Sequence, residues 1–396
     1  MTKVLTINAG SSTLKWKLYE MPAQQLVGKG AIDRIAMPDS VVSVTTASGK
    51  SYQKTVDQLN YQQGAQVVVE KMKQYQMITQ LDEITVVGHR VVFGGEIFKH
   101  SVVVDAQVLK QIKNLSELAP LHNPVEAQCI EQFKKIIPNA VEVAVFDTSL
   151  YLDMPEVAYI YSLPYQFYKK YGARKYGAHG TSHRYVSRRA AEILKVPLKD
   201  QRMITLHLGS GCSMTAFDHG KVVDTSMGFT PQAGLTMSTR AGDVDASLVA
   251  YLMDKTGIKN VDQFNEILNE KSGLLGLSGI SPDLRKILEA RKKNQRAQLA
   301  IDVFINRIIR YIGSYVVEMG GLDTLVFTAG VGENSVPIRQ LICDKLTNFG
   351  VKLDPQKNKV VGQEAIINRP DSAVHIMVVP TNEELMIAKD AYRLSA

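Results

Sequence analysis

The chain has 396 residues, which is too long for one ordinary hydrophobic core and predicts two domains. It is 45% apolar, and 46 basic against 39 acidic residues give a net charge of +7. No dense Lys/Arg run carries interleaved aromatics, so the mild excess suits small anions and argues against nucleic acid as a partner.

The first element is an apolar strand, Val4, Leu5 and Ile7, running into "NAGSSTLK". A P-loop would read G-x-x-x-x-G-K-[ST] and open a helix. Here Leu14, Trp16 and Leu18 instead alternate with Lys15 and Lys17 as a second strand, so the polar knot is a hairpin turn. Strand-like sequence starts at Lys3, which leaves no visible targeting signal and predicts a cytoplasmic protein. "ITVVGHRVVFGG" (84–95) and "VEVAVFDTSL" (141–150) read as buried strands. Between them, "HNPVEAQCIEQFKKIIP" predicts a helix with Asn123 as N-cap, Pro124 at its first position and Glu126 completing a capping-box-like pair. A second helix begins at "GTSHRYVSRRAAEIL", where Thr181 or Ser182 can cap.

"RMITLHLGSGCSMTAFDHGKVVDTSMG" (202–228) repeats the grammar of the N-terminus: apolar strand, Gly/Ser turn, alternating strand, turn, strand. This internal echo predicts two related α/β lobes. Ile301, Phe304, Ile305, Ile308, Ile312, Val316 and Met319 recur at helical spacing, and Gly320–Gly321 stops the run. Arg307 and Arg310 break that stretch, so it is not a membrane span. "TLVFTAGVGENS" (324–335) predicts a strand entering a Gly-rich turn, and the chain closes with a strand, a capped turn and a terminal helix. Cys129, Cys212 and Cys343 have no CxxC spacing and read as buried thiols in a reducing compartment.

Polar groups gather where apolar strands end, the usual location of sites in open α/β sheets. The blocks "TINAGSSTLK", "GHRVVFGGE", "LAPLHNP", "VAVFDTS", "YGAHGTSH", "HLGSGCSM", "MSTRAGDVD", "TAGVGENS" and "PTNEEL" together resemble, in order, those of the acetokinase family. The resemblance implies an α/β fold: two duplicated ribonuclease H-like lobes of the actin, Hsp70 and sugar kinase type, around a nucleotide cleft. It implies an N-terminal lobe, 1–150, completed by the terminal helix 385–396, and a C-terminal lobe, 151–384, for nucleotide binding and dimerisation. The implied reaction is reversible transfer of the ATP γ-phosphoryl to acetate, giving acetyl phosphate and ADP with magnesium, or manganese in its place. A homodimer is the family habit.

Carried over residue by residue, the resemblance sets Asn8 and Glu383 near magnesium, and Lys15, Ser11 and Thr13 near the nucleotide phosphates. Arg90 would meet the substrate carboxylate, with Val92, Leu121, His122 and Pro231 around the acyl group. His179 and Arg240 would stabilise the transferring phosphoryl, and Asp147 is the family's catalytic acidic residue. His207, Leu208, Gly209, Ser210 and Gly211, then Asp283, Leu284 and Arg285, then Gly330, Val331, Gly332, Glu333 and Asn334, would border the nucleotide. A carboxylate acceptor is ionised at neutral pH and needs no general base, so Asp147 is expected to organise magnesium-bound water or an arginine. The chain departs from the family pattern with Ser210 in place of Asn and Ala178 in place of Phe, among other positions. Those departures keep open a propionate or butyrate kinase with an enlarged pocket, and the ATP-driven switches of the same superfamily keep open a low-turnover nucleotide-binding regulator.

Overall fold

The computed structural model describes residues 1–10, 12–120 and 122–396. Its chain forms two compact units, Met1–Leu152 with Asn382–Ala396, and Asp153–Thr381. The first holds an eight-stranded sheet built from β1 (Thr2–Ala9), β2 (Thr13–Met21), β3 (Gln25–Asp33), β4 (Ser40–Thr46), β5 (Ser51–Val56), β6 (Ile84–Val91), β7 (Val102–Val103) and β8 (Val141–Phe146). Its order is β5-β4-β3-β2-β1-β6-β8-β7. β1 and β2 pair antiparallel, with Asn8 opposite Lys15 and the Gly10 N–H donating to the Thr13 carbonyl at 2.8 Å, so "NAGSSTLK" joins two strands of a hairpin. β6 adds parallel to the other side of β1, and β8 parallel to β6.

The second unit repeats that plan with β9 (Arg202–Leu208), β10 (Cys212–Asp218), β11 (Lys221–Thr225), β12 (Thr324–Thr328), β13 (Ala365–Ile366) and β14 (His375–Val378), in the order β11-β10-β9-β12-β14-β13. Again an antiparallel meander flanks one side of the first strand and parallel strands the other. This is the two-lobed α/β architecture of the actin, Hsp70 and sugar kinase class. The parallel strands are apolar on both faces because helices cover them. The helix Gln295–Glu318 buries Ile301, Phe304, Ile308, Ile312 and Tyr315, one stripe at helical spacing, into the core of this unit.

Glycine decides one docking in the first unit. The terminal helix Glu383–Ser395 shares a core with Val4, Val86, Val143 and Val145 through Ile387, Ala388 and Ala391. A β-carbon on Gly88 would fall 2.7 Å from the Ile387 Cγ2, so β6 and this helix approach closely only because position 88 is bare. Among the described residues, no helix is long and apolar enough to cross a membrane. Cys129, Cys212 and Cys343 are buried free thiols.

Four local readings are corrected. The helix spans Asn123–Ile136 with His122 at its N-cap, and the Asn123 side chain donates to the carbonyls of Phe93 (2.9 Å) and Ile112 (3.2 Å) instead of capping. Glu126 is no partner in a capping box, since its carboxyl turns inward to the Val92 N–H at 3.0 Å. Residues Gly180–Leu194 form a helix whose N-cap is His179, not Thr181 or Ser182, and the "AGVGEN" segment is itself a short helix, Ala329–Asn334, rather than an open turn.

Candidate active site

In the first unit the site is built around one guanidinium. Arg90 lies at the end of β6, where apolar neighbours hold the strand in the sheet and the side chain emerges half-buried. Its Nε (3.0 Å) and Nη2 (2.6 Å) both donate to the Oδ2 of Asp147, which follows β8 and is fully buried. Its Nη1 donates to the Asn8 Oδ1 at 3.1 Å. These bonds engage three of the five N–H donors that a guanidinium carries. The ring of acids around it, Asp147, Glu383 and Glu126, holds Arg90 above its ordinary range against the opposing effect of burial.

Glu383 opens the terminal helix. Asn382 caps that helix and accepts from the Lys17 Nζ at 3.0 Å and the Tyr19 hydroxyl at 3.1 Å, while Lys17 also pairs with Glu384 at 2.9 Å. Strand β2 thereby fixes where the helix starts and hence where Glu383 stands. Burial pushes the Glu383 carboxyl up to about 7, with Arg90 opposing and Asp147 and Glu384 adding to the rise. Lys15 is exposed on β2 with its field on the same carboxyl, Val92 is buried, His122 and Thr13 are half-buried, and Ser11 and Leu121 lie outside the described residues.

Among the described residues, no group of three or more His, Cys, Asp or Glu side chains could hold a metal ion by itself. Around Arg90 the donor set is an amide oxygen, Asn8, and a carboxylate, Glu383, while Asp147 is taken up by the guanidinium. All are hard oxygen donors, and one or two carboxylates completed by waters and phosphate oxygens is the habit of magnesium. The residues fit that ion as one carried in with a nucleotide.

The second unit contains a cavity of about 980 Å³. Gly209, Ser210 and Gly211 from the β9–β10 turn, Arg240, the segment Asp283 to Arg285, and Gly330, Val331 and Asn334 line it. His207, Leu208, Gly332 and Glu333, expected to border a nucleotide, are not on its wall. Leu208 is core, and the Glu333 Oε1 accepts from the N–H groups of Ala329 (2.7 Å) and Thr381 (3.0 Å), so that carboxylate faces inward as a helix and loop clamp. Sequence reasoning missed Phe304 at this wall, because it belongs to the long helix stripe, and Leu288, which no motif singles out.

Besides Arg285, which pairs with Asp283 at 2.7 Å, the cavity wall carries Arg240. Among the described residues it pairs with no carboxylate, and its Nη1 donates only weakly to the Pro231 carbonyl at 3.3 Å. Burial pushes its guanidinium below the ordinary value. A β-carbon on Gly211 would lie 3.4 Å from both the Arg240 Nη1 and the His179 Nε2, so the two side chains converge over a position that only glycine leaves open. His179 is fixed from behind. Its Nδ1 lies 2.8 Å from the Ser213 Oγ, which lies 2.7 Å from the His183 Nε2, whose Nδ1 lies 2.6 Å from the Thr205 Oγ1. His207 stacks on His179 with ring centres 4.1 Å apart and is held by Ser182 at 2.8 Å. Burial, then the neighbouring His207, hold His183 well below its ordinary value, which keeps it neutral. Ser213 reads from the sequence as a polar residue flanking the second turn and His183 only as part of a quoted block; their link to His179 was not legible, since the chain of contacts crosses three elements.

Ser210 is exposed at the cavity wall. Ser210→Asn, which adds an amide able to donate and accept, is expected to lower the KM for ATP by about 2- to 10-fold, the worth of one net hydrogen bond. Unchanged ATP kinetics would show that position 210 does not reach the nucleotide. Ala178 is buried in the core of this unit and does not line the cavity, so the smaller side chain there opens no space into it.

Residues 3–389 match the model of the acetokinase family. The chain is 53% identical to the acetate kinase of Enterococcus faecalis over 395 residues, covering 100% of each. It superposes on the crystal structure of Porphyromonas gingivalis acetate kinase with a TM-score of 0.94 at 41% identity, and on that of a propionate kinase from Francisella tularensis with 0.93 at 40%, each covering 100% of both chains.

Proposed function

The chain belongs to the acetokinase family, and from that premise we infer that it is an ATP-dependent acetate kinase, catalysing acetate + ATP ↔ acetyl phosphate + ADP. Family membership implies magnesium–ATP as the phosphoryl donor. The observation that carries the assignment of roles is the contrast between the two arginines: Arg90 is locked among carboxylates, whereas Arg240 meets none among the described residues and faces a cavity.

The second unit holds ATP in the cavity, with the γ-phosphoryl toward Arg240 and His179. Arg90 orients the acceptor carboxylate through the donors that Asp147 and Asn8 leave unused. An acceptor oxygen then attacks the γ-phosphorus in line, the new O–P bond forms, and the β,γ-bridging O–P bond breaks with its electron pair leaving on ADP. Arg240 and His179 take up charge as it spreads over the equatorial oxygens. Asp147 accepts two bonds from Arg90 and takes no part in the transfer itself; it is the organiser of the arginine. Asn8 and Glu383 would hold magnesium, which when bound neutralises phosphate charge.

The test is hydroxamate trapping of the acyl phosphate across acetate, propionate and butyrate. Acetate is expected to give the highest kcat/KM, with the longer acids lower by about 10-fold or more for each methylene that the pocket must absorb. A higher kcat/KM for propionate or butyrate would overturn the acetate assignment in favour of a longer-chain acyl kinase.

A further inference from the structure

We propose that Glu126 is a positioning residue for the carboxylate acceptor: it holds the Val92 main chain beside Arg90, and its charge state sets how much of the Arg90 field the acceptor meets. This rests on the reading of Arg90 as the guanidinium that receives the acceptor.

Glu126 sits in the first turns of the helix Asn123–Ile136, where an exposed glutamate would ordinarily serve the helix terminus. It is instead 2% exposed and crosses to the first unit's sheet, where its Oε2 accepts the Val92 N–H at 3.0 Å. Val92 stands two residues after Arg90, so this bond ties down the main chain that carries the guanidinium. The other oxygen, Oε1, is buried and has no hydrogen-bond partner among the described residues. A buried carboxylate with one oxygen unsatisfied is costly, whereas a neutral carboxylic acid is far less so.

The groups that face it favour the neutral form. Burial pushes Glu126 up to about 8; Arg90 and the Val92 N–H oppose the rise and Asp147 adds to it. Cys129, one turn along the same helix, is pushed up to about 12 by burial and by Glu126, so it stays an uncharged thiol. From the terminal helix, Glu383 acts on the same Arg90. At neutral pH Glu126 is therefore protonated, and Arg90 offers its remaining field to an incoming anion. When Glu126 ionises, a further negative charge shares that guanidinium and competes with the acceptor. The coupling is reciprocal, so acceptor bound at Arg90 keeps Glu126 protonated.

The sign follows: acceptor affinity is full below about 8 and falls as pH rises through that value. In the wild-type chain with magnesium–ATP, the KM for acetate is expected to rise about fivefold or more between about pH 7 and 9, the size of coupling usual between interacting sites, while the KM for ATP stays level. Glu126→Gln accepts the Val92 N–H but cannot ionise, and the rise is expected to flatten. Glu126→Leu, which loses the bond to Val92, should raise the KM for acetate at every pH; if that variant does not fold, the glutamine variant decides alone. A wild-type rise persisting in Glu126→Gln, or a rise of equal size in the KM for ATP, overturns the proposal. Arg90→Lys run alongside separates the two readings. If it leaves the KM for acetate unchanged, Arg90 does not receive the acceptor and both readings fall; if it raises that KM while Glu126→Gln behaves as wild type, only the role of Glu126 falls.

Discussion

An Arg240→Ala enzyme is expected to lose about three orders of magnitude in kcat with a much smaller change in the KM for ATP. The reason is where the guanidinium sits. It lines the cavity of the second unit, shares the space over Gly211 with His179, and is charge-compensated by no carboxylate among the described residues. A half-desolvated cation held in that way is preorganised for an anion that arrives with the substrate. Transition-state charge on a transferring phosphoryl is where such a group acts, and one preorganised donor or arginine is worth about 10²–10⁵ in rate. Ground-state ATP has its adenosine and other phosphates to hold it, so binding suffers less than turnover. Truncation should leave the fold intact, because it strands no buried carboxylate. Thermal unfolding within a few degrees of wild type, together with the kcat loss, is the expected pair of results. A kcat drop below about 10-fold, or a loss carried wholly by the KM for ATP, would remove Arg240 from the transition state.

The two hairpins, the buried strands and the long helix were legible from local pattern, whereas the parallel pairing of β6 with β1 and of β8 with β6 links segments distant in sequence and was not. Val4, Leu5 and Ile7 run apolar, Leu14, Trp16 and Leu18 alternate, and Ile301 to Val316 keep a helical period. What was not legible depends on partners distant in sequence. Glu126 fits a capping box by its spacing alone, and only the tertiary fold, by placing Val92 against it, shows the carboxyl turned the other way. Glu333 reads as a polar residue in a glycine-rich turn, yet the Ala329 and Thr381 N–H groups claim it. Arg339 is the extreme case: nothing in "VPIRQ" announces a fully buried guanidinium. It donates five hydrogen bonds, to Asn358 Oδ1 and to the carbonyls of Gly332, Glu333, Asn358 and Val360, and so braces the short helix beside the cavity. The charged groups expected to act lie inside the quoted blocks, while contacts such as Glu126 to Val92 and Arg339 to Asn358 were hidden by chain distance.

Arg90→Ala is expected to lower kcat/KM for acetate by about 10³-fold, with the KM for ATP changed far less. Two charge-assisted bonds to a carboxylate are worth about 3–6 kcal/mol, or roughly 10²–10⁴ in rate and binding combined. The same change has a structural price, since Asp147 is fully buried and Arg90 supplies two of its hydrogen bonds. Breaking a buried pair from one side costs about 3–5 kcal/mol, so the alanine variant should also unfold at a lower temperature. Arg90→Lys separates these effects. A lysine keeps a positive charge near Asp147 but cannot form the fork that bridges Asp147, Asn8 and the acceptor at once. It should recover much of the lost stability while keeping most of the defect in acetate kinetics. If the lysine variant regains both together, the fault in the alanine enzyme is the lost Arg90–Asp147 pair, and Arg90 supports the fold without meeting the acceptor. If stability returns and the KM for acetate stays high, the guanidinium geometry itself recognises the carboxylate.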